Sequence, residues 1–375
     1  MPAIAAVRGA LPRHRYPQHE LTAALARVVG LDPGRTGVLE RLHANAGVDT
    51  RHLALPLEDY EQATRDFGTA NDAFIKVGTD LAEEAVTDAL AAAGLRPQDV
   101  DLVVSTTVTG LAVPSLEARL MARLPFRPDL RRMPLVGLGC VGGAAGVARV
   151  REWLAGEPDG VAVLLAVELC SLTLQQDDGS TANLVASGLF GDGAAAVVML
   201  GDSAAERHTL PGGAAPVQVV SSRSRMYADT AGAMGWDVGA SGLRIVLGTE
   251  VPDLVREHVR EDVDQHLGQH GLRRADIGWW VAHPGGPKVL QALAATLEVD
   301  DEALGVTWRS LRRIGNLSSV SVLHVLADTL ADHPPAPGSH GLLMAMGPGF
   351  CLETVLLRAP AAQPEGAGSQ PEAAG

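Results

Sequence analysis

A chain of 375 residues, 46% of them hydrophobic and 20% charged, is long enough to bury one large core or two fused ones. Its formal net charge of -14, from 44 acidic and 30 basic residues with no Lys/Arg-rich run, argues against duplex nucleic-acid binding, while a few local cations at one tunnel mouth still suffice for an anionic substrate. Three cysteines in apolar or Gly-rich surroundings argue against a disulfide framework and fit a reducing, cytoplasmic setting, and no run of roughly 18 apolar residues predicts a membrane span.

In chain order, the N-terminus lacks a basic region followed by a long apolar core, so no leader is expected. Thr79 to Ala93 carries apolar residues at helical spacing and stops at Gly94. Asp101 to Thr107 reads as a buried strand. Val136-Gly-Leu-Gly-Cys140-Val-Gly-Gly-Ala-Ala-Gly146 reads as a sharp strand-to-helix turn, with a small-residue helix from Val141 to Leu154 and a strand from Gly160 to Glu168. Gly188-Leu-Phe190-Gly-Asp-Gly brackets an aromatic between glycines. The strand Ile277 to Ala282 ends at His283-Pro-Gly-Gly286. Gly315-Asn316-Leu-Ser-Ser319 opens a helical run from Val320 to Leu330, and Gly347-Pro-Gly-Phe350 is a tight turn placed to line a cavity. The Ala/Pro/Gly/Glu-rich segment 359–375 reads as a disordered tail.

The chain contains an internal duplication. Gly94-Leu-Arg-Pro-Gln-Asp99-Val parallels Gly271-Leu-Arg-Arg-Ala-Asp276-Ile, an offset of 276 − 99 = 177 residues. The same offset carries Cys140 to 317, inside the Asn316 turn, and Ala162 to 339, beside the strand at Gly341. Two related α/β halves are expected, 1–208 and 209–358, each running helix, strand, helix, strand. Sheets covered on both faces, with shared helices between them, give five layers.

A cysteine, a histidine and an amide at element boundaries are the parts of an activated thiol site. Cys140 at a helix N-terminus meets the dipole and free amides that favour a thiolate and an oxyanion. His283 suits proton exchange with the thiol and donation to a carbonyl. Asn316 alone reads as a helix cap. Its duplicated counterpart is the turn of Cys140, so both halves aim a helix start at one point. Cys140, His283 and Cys170 lack metal-ligand spacing, and no dinucleotide or Walker loop occurs, so no metal and no cofactor is expected.

Gly-Cys140-Val-Gly-Gly, Leu-Phe190-Gly-Asp-Gly-Ala, His283-Pro-Gly-Gly-Pro, Gly-Asn316-Leu-Ser-Ser and Gly-Pro-Gly-Phe350, in this order, resemble the type III polyketide synthases, the chalcone synthase-like branch of the thiolase superfamily. The resemblance runs from Ile4 to about Arg358. Ketoacyl synthases of the third kind carry His-x-x-Asn where this chain has His-Pro-Gly-Gly. The resemblance implies a homodimer with the thiolase-like five-layered αβαβα fold and a Cys140–His283–Asn316 triad. It implies loading of an acyl-CoA starter on Cys140, extension by decarboxylative Claisen condensation with malonyl-CoA or methylmalonyl-CoA, and cyclisation.

By the same resemblance Phe190 is the gate between CoA tunnel and cavity, and Ile245 stands where plant relatives carry a second phenylalanine. Thr109, Thr173 and Ser318 match cavity-lining positions, Gly347 and Phe350 belong to the turn beside them, and Val113 matches the residue that reaches into the partner's cavity. Arg41 and Lys288 match the CoA-contacting region. The small aliphatic lining resembles bacterial alkylresorcinol and alkylpyrone synthases and implies a fatty acyl starter. The alternatives are a single-condensation ketoacyl synthase-like enzyme or a dihydroxyphenylacetyl-forming synthase of the same fold, and a catalytically silent acyl-CoA-binding scaffold.

Overall fold

The computed structural model describes residues 1–213 and 215–361. The strands of its main sheet are β1 (Ala3–Ala10), β2 (Leu102–Thr107), β3 (Arg131–Val136), β4 (Val161–Leu169), β5 (Asp192–Leu200), β6 (Val217–Met226), β7 (Ile277–Ala282), β8 (His340–Gly347) and β9 (Cys351–Arg358). Four helices organise the layers: α1 (Phe67–Ala93), α2 (Gly142–Gly156), α3 (Val251–Gly268) and α4 (Ser321–Asp332).

The strands bond in the order β7-β8-β9-β6-β1-β5-β4-β2-β3. This row is two copies of one pattern joined at a narrow seam. In the first half β2 and β4 are parallel while β4–β5 and β5–β1 are antiparallel. In the second half β7 and β8 are parallel while β8–β9 and β9–β6 are antiparallel. Ala3↔Gln218 and Ile4↔Val217 pair across the seam, and the Val219 N–H donates to Pro2 O at 2.9 Å. Strands β4 and β5 are buried along their whole length, as apolar runs covered on both faces must be.

Each face carries a helix. α1 packs Ala82, Val86 and Leu90 on one face of the first half-sheet, and α3 packs Val255, Val259 and Val263 on the outer face of the second. α2 and α4 share the core between the two half-sheets, through Ala144, Val147, Val322 and Val325. The result is the five-layered α/β arrangement expected from the duplication.

Local physics explains the repeat. The residue before each β2/β7 unit is fixed by the same device: Arg96 N–H donates to Asp99 Oδ2 at 2.9 Å, and Arg273 N–H to Asp276 Oδ2 at 2.8 Å. Further on the register slips. The one-turn 3₁₀ segment Gly139–Val141 corresponds to Ser318–Val320, an offset of 318 − 139 = 179. Two extra residues precede the second turn, so the true counterpart of Cys140 is Ser319 and not the Asn316–Leu317 step. α1 also starts twelve residues earlier than Thr79 (79 − 67), because Asp66 accepts the Thr69 N–H at 2.8 Å and caps it there.

At the chain's end, Ala359 is buried and its N–H donates to Ser339 O at 2.9 Å, so the body runs past Arg358. The rest of the expected tail, 362–375, lies outside the described residues. Among the described residues no helix is long and apolar enough to cross a membrane.

Candidate active site

Two helix starts meet at the centre of the fold. α2 begins behind Gly139–Val141 and α4 behind Ser318–Val320. They approach closely because the facing residues are small. A Cβ on Gly143 would lie 2.3 Å from Ser319 O, and one on Gly142 2.6 Å from Thr106 Oγ1. Both turns need a left-handed residue: Gly139 at φ 57° and Ser318 at φ 51°. Glycine takes that conformation freely. Ser318 is held in it at a cost of order 1 kcal/mol or more.

Ser318 is where the strain has a use. The Cys140 thiol donates to Ser318 Oγ at 3.6 Å, and the Ser318 N–H donates to Asn316 Oδ1 at 2.8 Å. Ser321 Oγ also donates to Asn316 Oδ1, at 3.4 Å. With its oxygen engaged on the α4 side, the carboxamide keeps its N–H₂ group free among the described residues as a donor. The backbone of Asn316 is clamped to the Phe190 segment: its N–H donates to Leu189 O and its carbonyl accepts from Gly191 N–H, both at 2.9 Å.

His283 closes β7, its N–H donating to Met344 O at 2.9 Å. Its side chain is buried and Nδ1 has no partner among the described residues. Two contacts bring its loop to the same place. Gly286 lies against Leu189, whose carbonyl holds Asn316, and Gly347, three residues beyond Met344, packs on the Cys140 turn. A Cβ on Gly347 would stand 3.0 Å from Val141 N. Burial pushes the Cys140 thiol up to about 12 despite the hydrogen bond to Ser318, and pushes His283 down to about 3. Both are held neutral in the closed site. The sulfur therefore becomes a nucleophile by losing its proton as it attacks, and the neutral imidazole of His283 is of a type that can take it.

A buried carboxyl that the sequence reading missed backs this centre. Glu168 Oε1 accepts from Ser319 Oγ at 2.6 Å, and Oε2 accepts from Thr109 Oγ1 at 2.9 Å, Thr107 Oγ1 at 3.2 Å and Val108 N–H at 3.1 Å. Burial raises it above the usual carboxylate range. Its signal in the sequence was one charged residue closing an apolar strand.

Beside the centre lies a narrow cavity of ≈ 80 Å³ that opens to solvent. Phe190, Thr173 and Ile245 line it, as expected from their positions. Trp236 pairs with Ile245 across the hairpin of Met234–Gly239 and Gly242–Leu247 and lines it too, with Arg51, Tyr60, Cys170 and Ser171. Thr109 and Thr173 border a smaller adjoining void.

Phe350 does not join them. It is fully buried, stacked on Tyr227 at 5.8 Å in the core under α3, because Gly349 at φ 133° turns the chain inward. Val113 is 95% exposed and lines neither of these two cavities. Arg41 and Lys288 are exposed. Their helices, Pro33–Ala44 and Pro287–Leu297, adjoin where Gly47 meets Pro287, with a Cβ there 3.0 Å from Cγ.

Comparison with known proteins agrees with this geometry. Residues 218–360 match the chalcone and stilbene synthases, C-terminal domain, and residues 12–211 match the FAE1/type III polyketide synthase-like proteins. The chain is 54% identical to a 1,3,6,8-tetrahydroxynaphthalene synthase of Streptomyces peucetius subsp. caesius, over 95% of this chain and 93% of that protein. It is 31% identical to a 3,5-dihydroxyphenylacetyl-CoA synthase of Streptomyces toyocaensis, over 95% and 90%. The crystal structure of the 1,3,6,8-tetrahydroxynaphthalene synthase of Streptomyces coelicolor A3(2), a bacterial type III polyketide synthase, superposes with a TM-score of 0.87 at 28% identity, covering 96% of this chain and 100% of that one.

Proposed function

The chain belongs to the type III polyketide synthases, and from that premise we propose that malonyl-CoA serves it as both starter and extender and that the chain closes to a polyhydroxylated naphthalene. As a member of this family it is an acyltransferase that condenses malonyl-CoA iteratively into aromatic or pyrone products. The observation that carries the choice of starter is the lining of the cavity. Trp236 pairs with Ile245 across the hairpin and both line the space, while Tyr60, Ser171, Thr173 and Arg51 give its wall polar groups. That wall suits a chain bearing a carbonyl at every second carbon better than a bare alkyl tail. The ten ring carbons of a naphthalene are five two-carbon units, which is the chain that malonyl-CoA alone supplies.

In this reading Cys140 attacks the starter thioester, its proton passes to His283, and coenzyme A leaves with a proton. Malonyl-CoA then loses carbon dioxide. The electrons of the broken C–C bond move onto the thioester oxygen, where His283 and the Asn316 N–H₂ group donate to the developing enolate. The enolate carbon attacks the Cys140 thioester, the amides at the start of α2 hold the oxyanion, and the cysteine thiolate departs. Phe190, fixed through its bridge to Asn316, separates the CoA side from the cavity, and Arg41 and Lys288 meet the CoA phosphates. No step calls on a metal or a cofactor.

The enzyme works as a homodimer in the cytoplasm. Leu111, Val113, Met133 and Val136 are exposed apolar residues on and beside edge strand β3, a surface that pairing with a second copy covers.

A fatty acyl starter, closing to an alkylresorcinol or alkylpyrone, is the second reading. It is favoured by Leu21, Leu25, Val28 and Leu57, which also line the cavity. Purified enzyme given malonyl-CoA alone, then with fatty acyl-CoA or with methylmalonyl-CoA, and read by mass spectrometry, separates the two. A naphthalene from malonyl-CoA alone supports the first, and turnover only when fatty acyl-CoA is added sinks it. Cys140→Ala abolishes condensation while leaving slow release of carbon dioxide.

A further inference from the structure

A chain of two hydroxyls and a carboxylate reaches from the cavity wall into the core. Tyr60 Oη lies 2.5 Å from Ser171 Oγ, and Ser171 Oγ donates to Asp192 Oδ2. The Asp192 carboxylate is fully buried and is held by the N–H of Ser171 at 2.8 Å and of Ala54 at 2.7 Å. Since Ser171 gives its proton to the carboxylate, Tyr60 must give its own to Ser171. Tyr60 and Ser171 line the cavity while Asp192 does not. The far end of the chain is thus closed to solvent and the near end faces the site of cyclisation.

We propose that Tyr60, Ser171 and Asp192 form a proton wire that serves carbon–carbon ring closure in the cavity. This rests on the reading that the growing chain occupies this cavity. The enol O–H of a β-dicarbonyl unit in the chain passes its proton to Tyr60. Tyr60 passes its own to Ser171, and Ser171 passes its own to the Asp192 carboxylate. The resulting enolate carbon attacks a distant ketone. The enolate C=O re-forms, the new C–C bond is made, and the ketone π electrons become an alkoxide. The proton returns from Asp192 through Ser171 and Tyr60 to that alkoxide, and loss of water then begins aromatisation. No proton is gained or lost, and no co-reactant is required. The competing closure, attack of an enol oxygen on the thioester, needs no wire, because the departing thiolate takes the proton. Tyr60 touches the substrate, while Ser171 and Asp192 act through it.

The wire is poised near physiological pH. Burial raises Asp192 to about 6, so the carboxylate is mostly empty at pH 7 and filled below. The groups facing it titrate elsewhere. Arg51, on the strand Thr50–Leu53, falls only to about 10, and burial raises both Tyr60 and Cys170 above their ordinary values. A change in the product ratio near pH 6 that Ser171→Ala removes therefore reports Asp192, since Glu168, also raised by burial, bonds to Ser319 and Thr109 and not to Ser171.

The test compares wild type with Tyr60→Phe, Ser171→Ala and Ser171→Thr at pH 5 to 8. Two readouts are taken, total carbon dioxide released from malonyl-CoA and the ratio of carbocyclic product to lactone. In Tyr60→Phe and Ser171→Ala the ratio falls by about 100-fold beyond any loss of carbon dioxide release, the lower range of general acid–base assistance. Ser171→Thr restores the ratio. Wild type loses carbocycle as pH drops through about 6, and Ser171→Ala gives a flat profile. An unchanged ratio in Ser171→Ala, or a loss of release and product in equal proportion, overturns the wire. Loss of carbon dioxide release in wild type itself overturns the assigned activity instead.

Discussion

Gly143 is the position where stability and activity meet, and its replacement by alanine tests the geometry directly. The added Cβ would lie 2.3 Å from Ser319 O, 2.8 Å from Val322 Cγ1 and 3.3 Å from Leu323 Cγ. Ordinary contact begins at 3.4 Å, so the turn at Ser319 must retreat by 3.4 − 2.3 = 1.1 Å. The obstacle is backbone on one side and core valine on the other, and neither can rotate away. Overpacking of this kind costs about 1–3 kcal/mol. The same retreat moves Ser318 and Asn316 away from Cys140, and a misplacement of about 1 Å costs about 100-fold in rate. Gly156, at the far end of the same helix, has open space for 4 Å around the position an added methyl would take, so Gly156→Ala is the control and is neutral or slightly stabilising. Thermal denaturation and carbon dioxide release from malonyl-CoA measure the two effects. Wild-type rate and melting temperature in Gly143→Ala would refute the claim that the two helix starts set the spacing of the site.

Three further outcomes are expected. Asn316→Ala removes one of the two donors to the developing enolate and lowers malonyl-CoA decarboxylation by about 100- to 1000-fold, with substrate binding little changed; steady-state kinetics that show only a weakened KM would count against the role. Acid stability follows from three imidazoles that burial holds neutral, His283 lowered to about 3 and His43 and His266 to about 4, from 6.5. The unfolded chain binds protons below pH 6.5 that the folded one refuses, so stability is lost as pH falls through 6.5, by about 4 kcal/mol per unit for three groups. Asp192, raised to about 6, works in the opposite sense below that pH and offsets about a third. Melting temperatures measured from pH 8 to 5 should be flat above 7 and steep below 6.5, and a flat curve throughout contradicts the buried neutral state. Trp236→Ala lengthens the cavity beside Ile245 and shifts starter use towards longer acyl-CoAs; an unchanged ratio of kcat/KM values across an acyl-CoA series removes Trp236 from the wall.

The duplication was legible because its markers are local. Asp99 and Asp276 each bond to the backbone three residues before, and such turns write themselves into short sequence motifs. The glycines around Cys140, His283 and Asn316 were legible for a related reason: close approach excludes side chains, and absence of side chain is visible in sequence. Polar partners drawn from distant segments were not. Glu168, Asp192, Arg51 and Tyr60 are single polar residues in apolar or mixed surroundings, and only the fold shows that Ser319 reaches the first and Ser171 the second. Phe350 was misplaced because a Gly-Pro-Gly turn announces a bend without saying to which side the next aromatic goes.

The offset between the two halves explains why one centre holds two different chemistries. Equivalent 3₁₀ turns, Gly139–Val141 and Ser318–Val320, face each other, so each half presents a helix start to the other. In a strictly repeated chain both would present the same residue to the substrate. Here the counterpart of Cys140 is Ser319, and it is turned away to Glu168. Ser318, held left-handed, receives the thiol, and Asn316 comes forward two residues earlier. The two additional residues before the second turn are what separate nucleophile from oxyanion donor. One helix start supplies the sulfur and its amides, while the other supplies a carboxamide whose oxygen is already spoken for. A division of labour of this kind needs only a small register slip in a doubled fold.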